Sequence, residues 1–105
     1  MSLAKRQQDF IAQTGLPFSY MIILNQDAQG KAPKGATAEA YAAQVKATYP
    51  VFADPTDATS KASPWNGSSL PGKCAVAPDM TLLKCWTGHG ADTKGYDAIK
   101  AHAGL

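Results

Sequence analysis

Ser69-Leu70-Pro71-Gly72-Lys73-Cys74-Ala75-Val76-Ala77-Pro78-Asp79-Met80-Thr81-Leu82-Leu83-Lys84-Cys85-Trp86-Thr87-Gly88 is the stretch whose reading decides the fold. It reads as a strand, a tight turn and a second strand, approached through a Leu-Pro step. Cys74 to Ala77 is short and apolar, Pro78-Asp79 is a turn dipeptide, and Thr81 to Thr87 is β-prone. Proline suits the first central position of a turn because its φ is already set, and aspartate can bond back to the turn backbone. Both cysteines of the chain lie on this hairpin.

Around the hairpin, the bulk properties bound the function. A length of 105 residues fits one domain, and 45% hydrophobic with 17% charged residues fits a globular rather than a disordered chain. Ten basic and eight acidic side chains give a net charge of +2, with no block of like charge. Binding to nucleic acid therefore has no electrostatic footprint here. The longest apolar run, Tyr20 to Leu24, is too short for membrane insertion, and the first residues lack the apolar centre of a signal peptide. Two histidines and two cysteines offer no metal-site spacing.

The chain order places the hairpin in an α/β frame. Residues 2–14 read as a helix, with Ser2 as N-cap, Leu3, Phe10 and Ile11 near one face, and Gly15 and Pro17 to stop it. Phe18 to Leu24 reads as a strand, nearly continuous in apolar residues as if covered on both faces. Asn25 to Ala36 is a polar surface loop whose charges serve solvation. Thr37 to Tyr49 reads as a second helix, with Thr37 as cap, Glu39 in the first turn, and a core stripe of Tyr41, Val45 and Tyr49. Pro50 stops it. Val51 to Ala53 is a short strand, and Asp54 to Asp57 is a turn that can start a brief helix over Ala58 to Ala62. After the hairpin, Gly88-His89-Gly90 breaks the chain before a terminal helix from Tyr96 to Ala103.

These residues resemble the thioredoxin-like superfamily, most closely its TlpA/ResA-type and peroxiredoxin-related branch. The resemblance rests on Tyr49-Pro50-Val51-Phe52-Ala53-Asp54-Pro55, the aromatic-Asn-Gly segment at Trp65, Leu70-Pro71, the Ala77-Pro78-Asp79 turn and Gly88. It is continuous over residues 49–104 and rests on element order alone before that. It implies an α/β, three-layer sandwich and a thiol–disulfide oxidoreductase with no bound cofactor. It also implies that Pro71 is a cis-proline whose preceding residue, Leu70, offers its backbone to an extended peptide. An ordinary trans-proline opening an edge strand is the alternative. Trp65 can line the same groove or pack beneath the loop.

The departure from that family is the nucleophile. Its Cys-x-x-Cys stands at the start of the first helix, where the helix terminus lowers the thiol pKa. Here Ser2, Leu3 and Ala4 occupy the corresponding region, and no catalytic residue is assigned. Truncation ahead of the helix, to which its abrupt start points, and degeneration into a non-catalytic module both account for this. Either way the central first strand of the family's sheet is missing. The exposed strand edges then invite strand exchange, and either a rearranged sheet or an intertwined oligomer such as a homodimer is expected.

The cysteines need the register. With a three-residue loop, Pro78-Asp79-Met80, residue 77 faces 81 and 74 faces 84, so Cys74 and Cys85 point to opposite faces. A shift of one residue sets them opposite each other, where a reducible cross-strand disulfide can act as a redox switch. Two small buried thiols are the favoured alternative. His89, between glycines, has no identifiable nucleophile or carboxylate partner. His102 lies near a helix C-terminus, which favours its positive charge.

The expectations are then two. The first is a thioredoxin-like oxidoreductase domain, inactive as this chain, with protein thiols as partners and, by resemblance, a periplasmic or extracytoplasmic location if a targeting segment is missing. The second is a redox-inactive thioredoxin-fold module that binds extended peptides at Leu70-Pro71.

Overall fold

A computed structural model describes residues 2–58, 72–88 and 92–105. The chain divides into two compact units, Met1–Thr59 and Ser60–Leu105. It is mixed α/β throughout.

The first unit opens with helix α1, Leu3–Thr14. Ser2 caps it as its sequence suggests: the Lys5 backbone N–H donates to the Ser2 hydroxyl at 3.1 Å. Gly15 ends it in the left-handed region at φ 71, and its N–H donates to the Ile11 carbonyl at 2.8 Å. Strand β1, Ile22–Leu24, is shorter than the run from Phe18 would suggest. The reason lies in the aromatic side chains. Phe18 packs on buried Phe10 with ring centroids 4.7 Å apart, Tyr20 meets Phe18 at 5.1 Å, and buried Tyr49 meets Tyr20 at 5.9 Å. The Tyr20 N–H donates to the Gln7 side chain at 2.9 Å rather than to a neighbouring strand. Residues 18–20 thus tie α1 to the core instead of extending the sheet.

Helix α2, Gly35–Val45, also differs from its expected span. Thr37 is not the N-cap. It lies three residues inside, and its hydroxyl accepts from the Lys34 N–H at 3.0 Å, which places the helix start at Lys34. Lys46 adopts φ 52 and ends the helix, so Tyr49 reaches the core from the following turn rather than from a helical stripe. Glu39 consequently falls beyond the first turn. Strand β2, Val51–Ala53, pairs in parallel with β1, Ile22 opposite Val51 and Leu24 opposite Ala53. Helix α2 is the crossover between the two strands and packs on β2. Met21, Ile23 and Phe52 are exposed, which corrects the expectation of a strand buried on both sides.

The second unit contains β3, Gly72–Val76, β4, Leu82–Thr87, and helix α3, Thr93–His102. Helix α3 starts three residues before the expected Tyr96. Strands β3 and β4 are antiparallel, and helix α3 packs on both. Among the described residues the four strands form two separate two-stranded sheets, β1–β2 and β3–β4. The coarse α/β class is therefore present. The brief helix expected over Ala58 to Ala62 falls largely outside the described residues.

The hairpin turn follows its residues. The Met80 N–H donates to the Ala77 carbonyl and the Ala77 N–H to the Thr81 carbonyl, each at 2.8 Å, closing the expected three-residue loop. Met80 takes φ 71 at the end of the turn. A side chain there costs about 1–2 kcal/mol, part of which glycine recovers despite its greater entropy loss. Met80→Gly is expected to raise stability by about 0.5–1 kcal/mol in thermal denaturation.

Candidate functional site

The hairpin holds the site, and its register decides the chemistry. From the loop outward, Val76 opposes Leu82, as a regular ladder requires. The ladder then slips: Ala75 opposes Lys84, which leaves Leu83 as an extra residue on β4. Beyond this bulge Cys74 stands directly opposite Cys85, with Cα atoms 4.1 Å apart, and the two are joined by a disulfide. The chain therefore has no free cysteine. This corrects the expectation of two buried thiols on opposite faces. The register expected from the turn holds as far as Val76. The unannounced bulge moved Cys85 to the face of Cys74.

Alternation across the strands sorts the two faces of the hairpin. Lys73 and Trp86 are paired on one face, and that face carries α3. The Lys73 ammonium meets the Asp92 carboxylate at 2.8 Å, both partly buried. Asp92 is the residue before α3, and its side chain makes no capping bond to the helix. Gly95 lies against the Trp86 ring so closely that a Cβ there would stand 3.2 Å from Cζ2 and Cζ3 and nearer still to Cη2. The indole Nε1 is buried with no acceptor among the described residues. Ala75 and Ala77, which share this face, are buried at 4% exposure each. The disulfide is on the opposite face. Cys74 and Cys85 are both half-buried there, between Gly72 and Thr87 on one side and Val76 and half-exposed Leu82 on the other.

Electrostatics add little to this site. Hydrogen bonds from the Thr81 hydroxyl and backbone N–H hold the Asp79 carboxyl below its ordinary value. The turn thus has that bonding in full above the usual carboxylate range and loses it only as pH falls below that range, through the lowered pKa of the folded chain. In the first unit, burial raises the Tyr49 hydroxyl pKa, and neighbouring Tyr41 adds to the effect. Stability from that group is complete below pH 10 and is lost as pH rises further.

Of the other residues singled out in the sequence, Trp65, Leu70, Pro71 and His89 lie outside the described residues. His102 is exposed in the last turn of α3. Among the described residues no cluster of histidine, cysteine or carboxylate side chains could hold a metal ion. No helix among them is long and apolar enough to cross a membrane. Comparison with protein-family models, with curated proteins and with solved structures finds no match to this chain.

Proposed function

We propose that this chain is a thioredoxin-like module of the thiol–disulfide oxidoreductase kind that has no Cys-x-x-Cys of its own. Its task is to offer a strand edge at Leu70-Pro71 to an extended peptide or a protein thiol. The observation that supports this most is the order and pairing of the elements. A parallel pair, β1–β2, is joined by a crossover helix, and an antiparallel hairpin follows with the last helix packed on it. The left-handed Met80 adds support, because its place in the turn is where the Asp-Pro-Asp-Gly turn of that family carries glycine. Strand β3 starts at Gly72, the residue that follows Leu70-Pro71 in the sequence.

A redox-inactive reading fits the same edge, since peptide pairing by backbone hydrogen bonds needs no thiol. The two-stranded sheets favour one further element of this reading. Among the described residues β1 and β3 are each paired on one side only, and strand exchange with a second copy would fill such an edge.

Titration with an unstructured decapeptide, followed by amide chemical shifts, tests the proposal. Shifts concentrated on residues 70–74 and abolished by Pro71→Ala are expected. Shifts absent from that segment at millimolar peptide would refute peptide capture at this edge. Light scattering tests the oligomer separately: a dimer is expected, and a monomer at all concentrations contradicts strand exchange.

A further inference from the structure

We propose that the Cys74–Cys85 disulfide is itself a thiol–disulfide exchange site, and that its substrate is a dithiol rather than a monothiol. This stands whether or not the module is thioredoxin-like, because it rests on the hairpin alone. Helix α3 covers the Lys73/Trp86 face, and the disulfide sits on the other. Both cysteines are half-buried rather than fully enclosed, so part of each residue meets solvent in the folded chain. The residue pair beside them toward the strand ends is Gly72 and Thr87, one without a side chain and the other exposed. On the turn side Leu82 is 49% exposed beside Val76 and gives an apolar flank to the approach.

The preference for a dithiol follows from the ladder. An incoming thiolate bonds to one cysteine Sγ and breaks the Sγ–Sγ bond, and the other cysteine leaves as a thiolate. The hairpin then holds that thiolate directly across from the mixed disulfide. Strand pairing, the Lys73–Asp92 ion pair and the Trp86–Gly95 contact all keep it there. With a monothiol, the displaced cysteine attacks its former partner and expels the reagent, because the intramolecular step has the high effective concentration of a fixed pair. A dithiol escapes this return. Its second thiol attacks its own bonded sulfur, the second cysteine leaves, and the products are the reagent's cyclic disulfide and two protein thiols. Two electrons and two protons pass from the dithiol to the hairpin. The chain is thus an acceptor for a dithiol reductant, and the reaction that restores it must be an oxidation.

The test is reduction of the full oxidised chain by dithiothreitol, and separately by glutathione at equal thiol concentration, with and without 6 M urea. Acid-quenched samples are alkylated and weighed. In the absence of urea, two alkylated cysteines are expected with dithiothreitol at a rate within about tenfold of that in urea, with the helical circular dichroism unchanged. Glutathione is expected to leave the folded chain oxidised over the same period. A rate more than about tenfold slower without urea would show that the disulfide opens only on unfolding, and would overturn the proposal. Loss of helical signal on reduction would overturn it too, as would equal reduction by glutathione.

Discussion

Gly95→Val is expected to destabilise the second unit by about 3 kcal/mol, the upper range for overpacking a filled contact. The added carbons fall where the Trp86 ring already stands, and that ring is stacked between α3 and the hairpin. Helix propensity works in the opposite direction, since replacing a helical glycine gains at most several tenths of a kcal/mol, and less here because Gly95 lies in the first turn. The clash wins because a rigid indole cannot yield as a flexible side chain would. Trp86 fluorescence, red-shifted as the ring is pushed toward solvent, reads the displacement. Trp86→Leu in the same chain should restore much of the loss, and the non-additivity measures the contact. If Gly95→Val leaves the melting temperature unchanged, α3 does not lie on the Trp86 face.

The second large effect belongs to the first unit. Phe10→Ala should cost about 3–5 kcal/mol, because Phe10 is 6% exposed and anchors the ring series Phe10, Phe18, Tyr20 and Tyr49. That is a large share of the 5–15 kcal/mol of a typical small protein, so a melting temperature about 15 °C lower or more is expected. Ile11→Ala on the same helix is the control. Ile11 is 39% exposed, and its truncation should cost under about 1 kcal/mol. Similar losses from the two variants would mean that α1 is rotated from the face described.

What the sequence disclosed was mostly local chemistry. Ser2 and Gly15 mark both ends of α1 because caps act within one turn of the chain. Pro50 and Asp54-Pro55 bracket β2, and Pro78-Asp79 places the turn of the hairpin. The features that escaped are those set by packing or by backbone choices without a marker residue. Lys46 and Met80 take left-handed conformations that glycine would have announced. Phe18 and Tyr20 have the pattern of a strand, but their rings belong to a core that only the folded unit creates. The bulge at Leu83 carries no glycine, and it alone decides whether the two cysteines meet. Trp65, Leu70 and Pro71, which the resemblance alone assigns to peptide binding, fall outside the described segments.

The disulfide, its place on the hairpin face opposite Trp86 and its proposed exchange with dithiols all depend on one register. In an antiparallel ladder a directly opposed pair at close Cα spacing brings its two Hα atoms together, whether or not the sulfurs are bonded. A nuclear Overhauser spectrum of the chain with its cysteines reduced therefore reads the register without help from the cross-link. A strong Hα–Hα contact between Cys74 and Cys85 is the predicted result. A contact between Cys74 and Lys84 in its place would remove the bulge, put the cysteines on opposite faces and contradict the account.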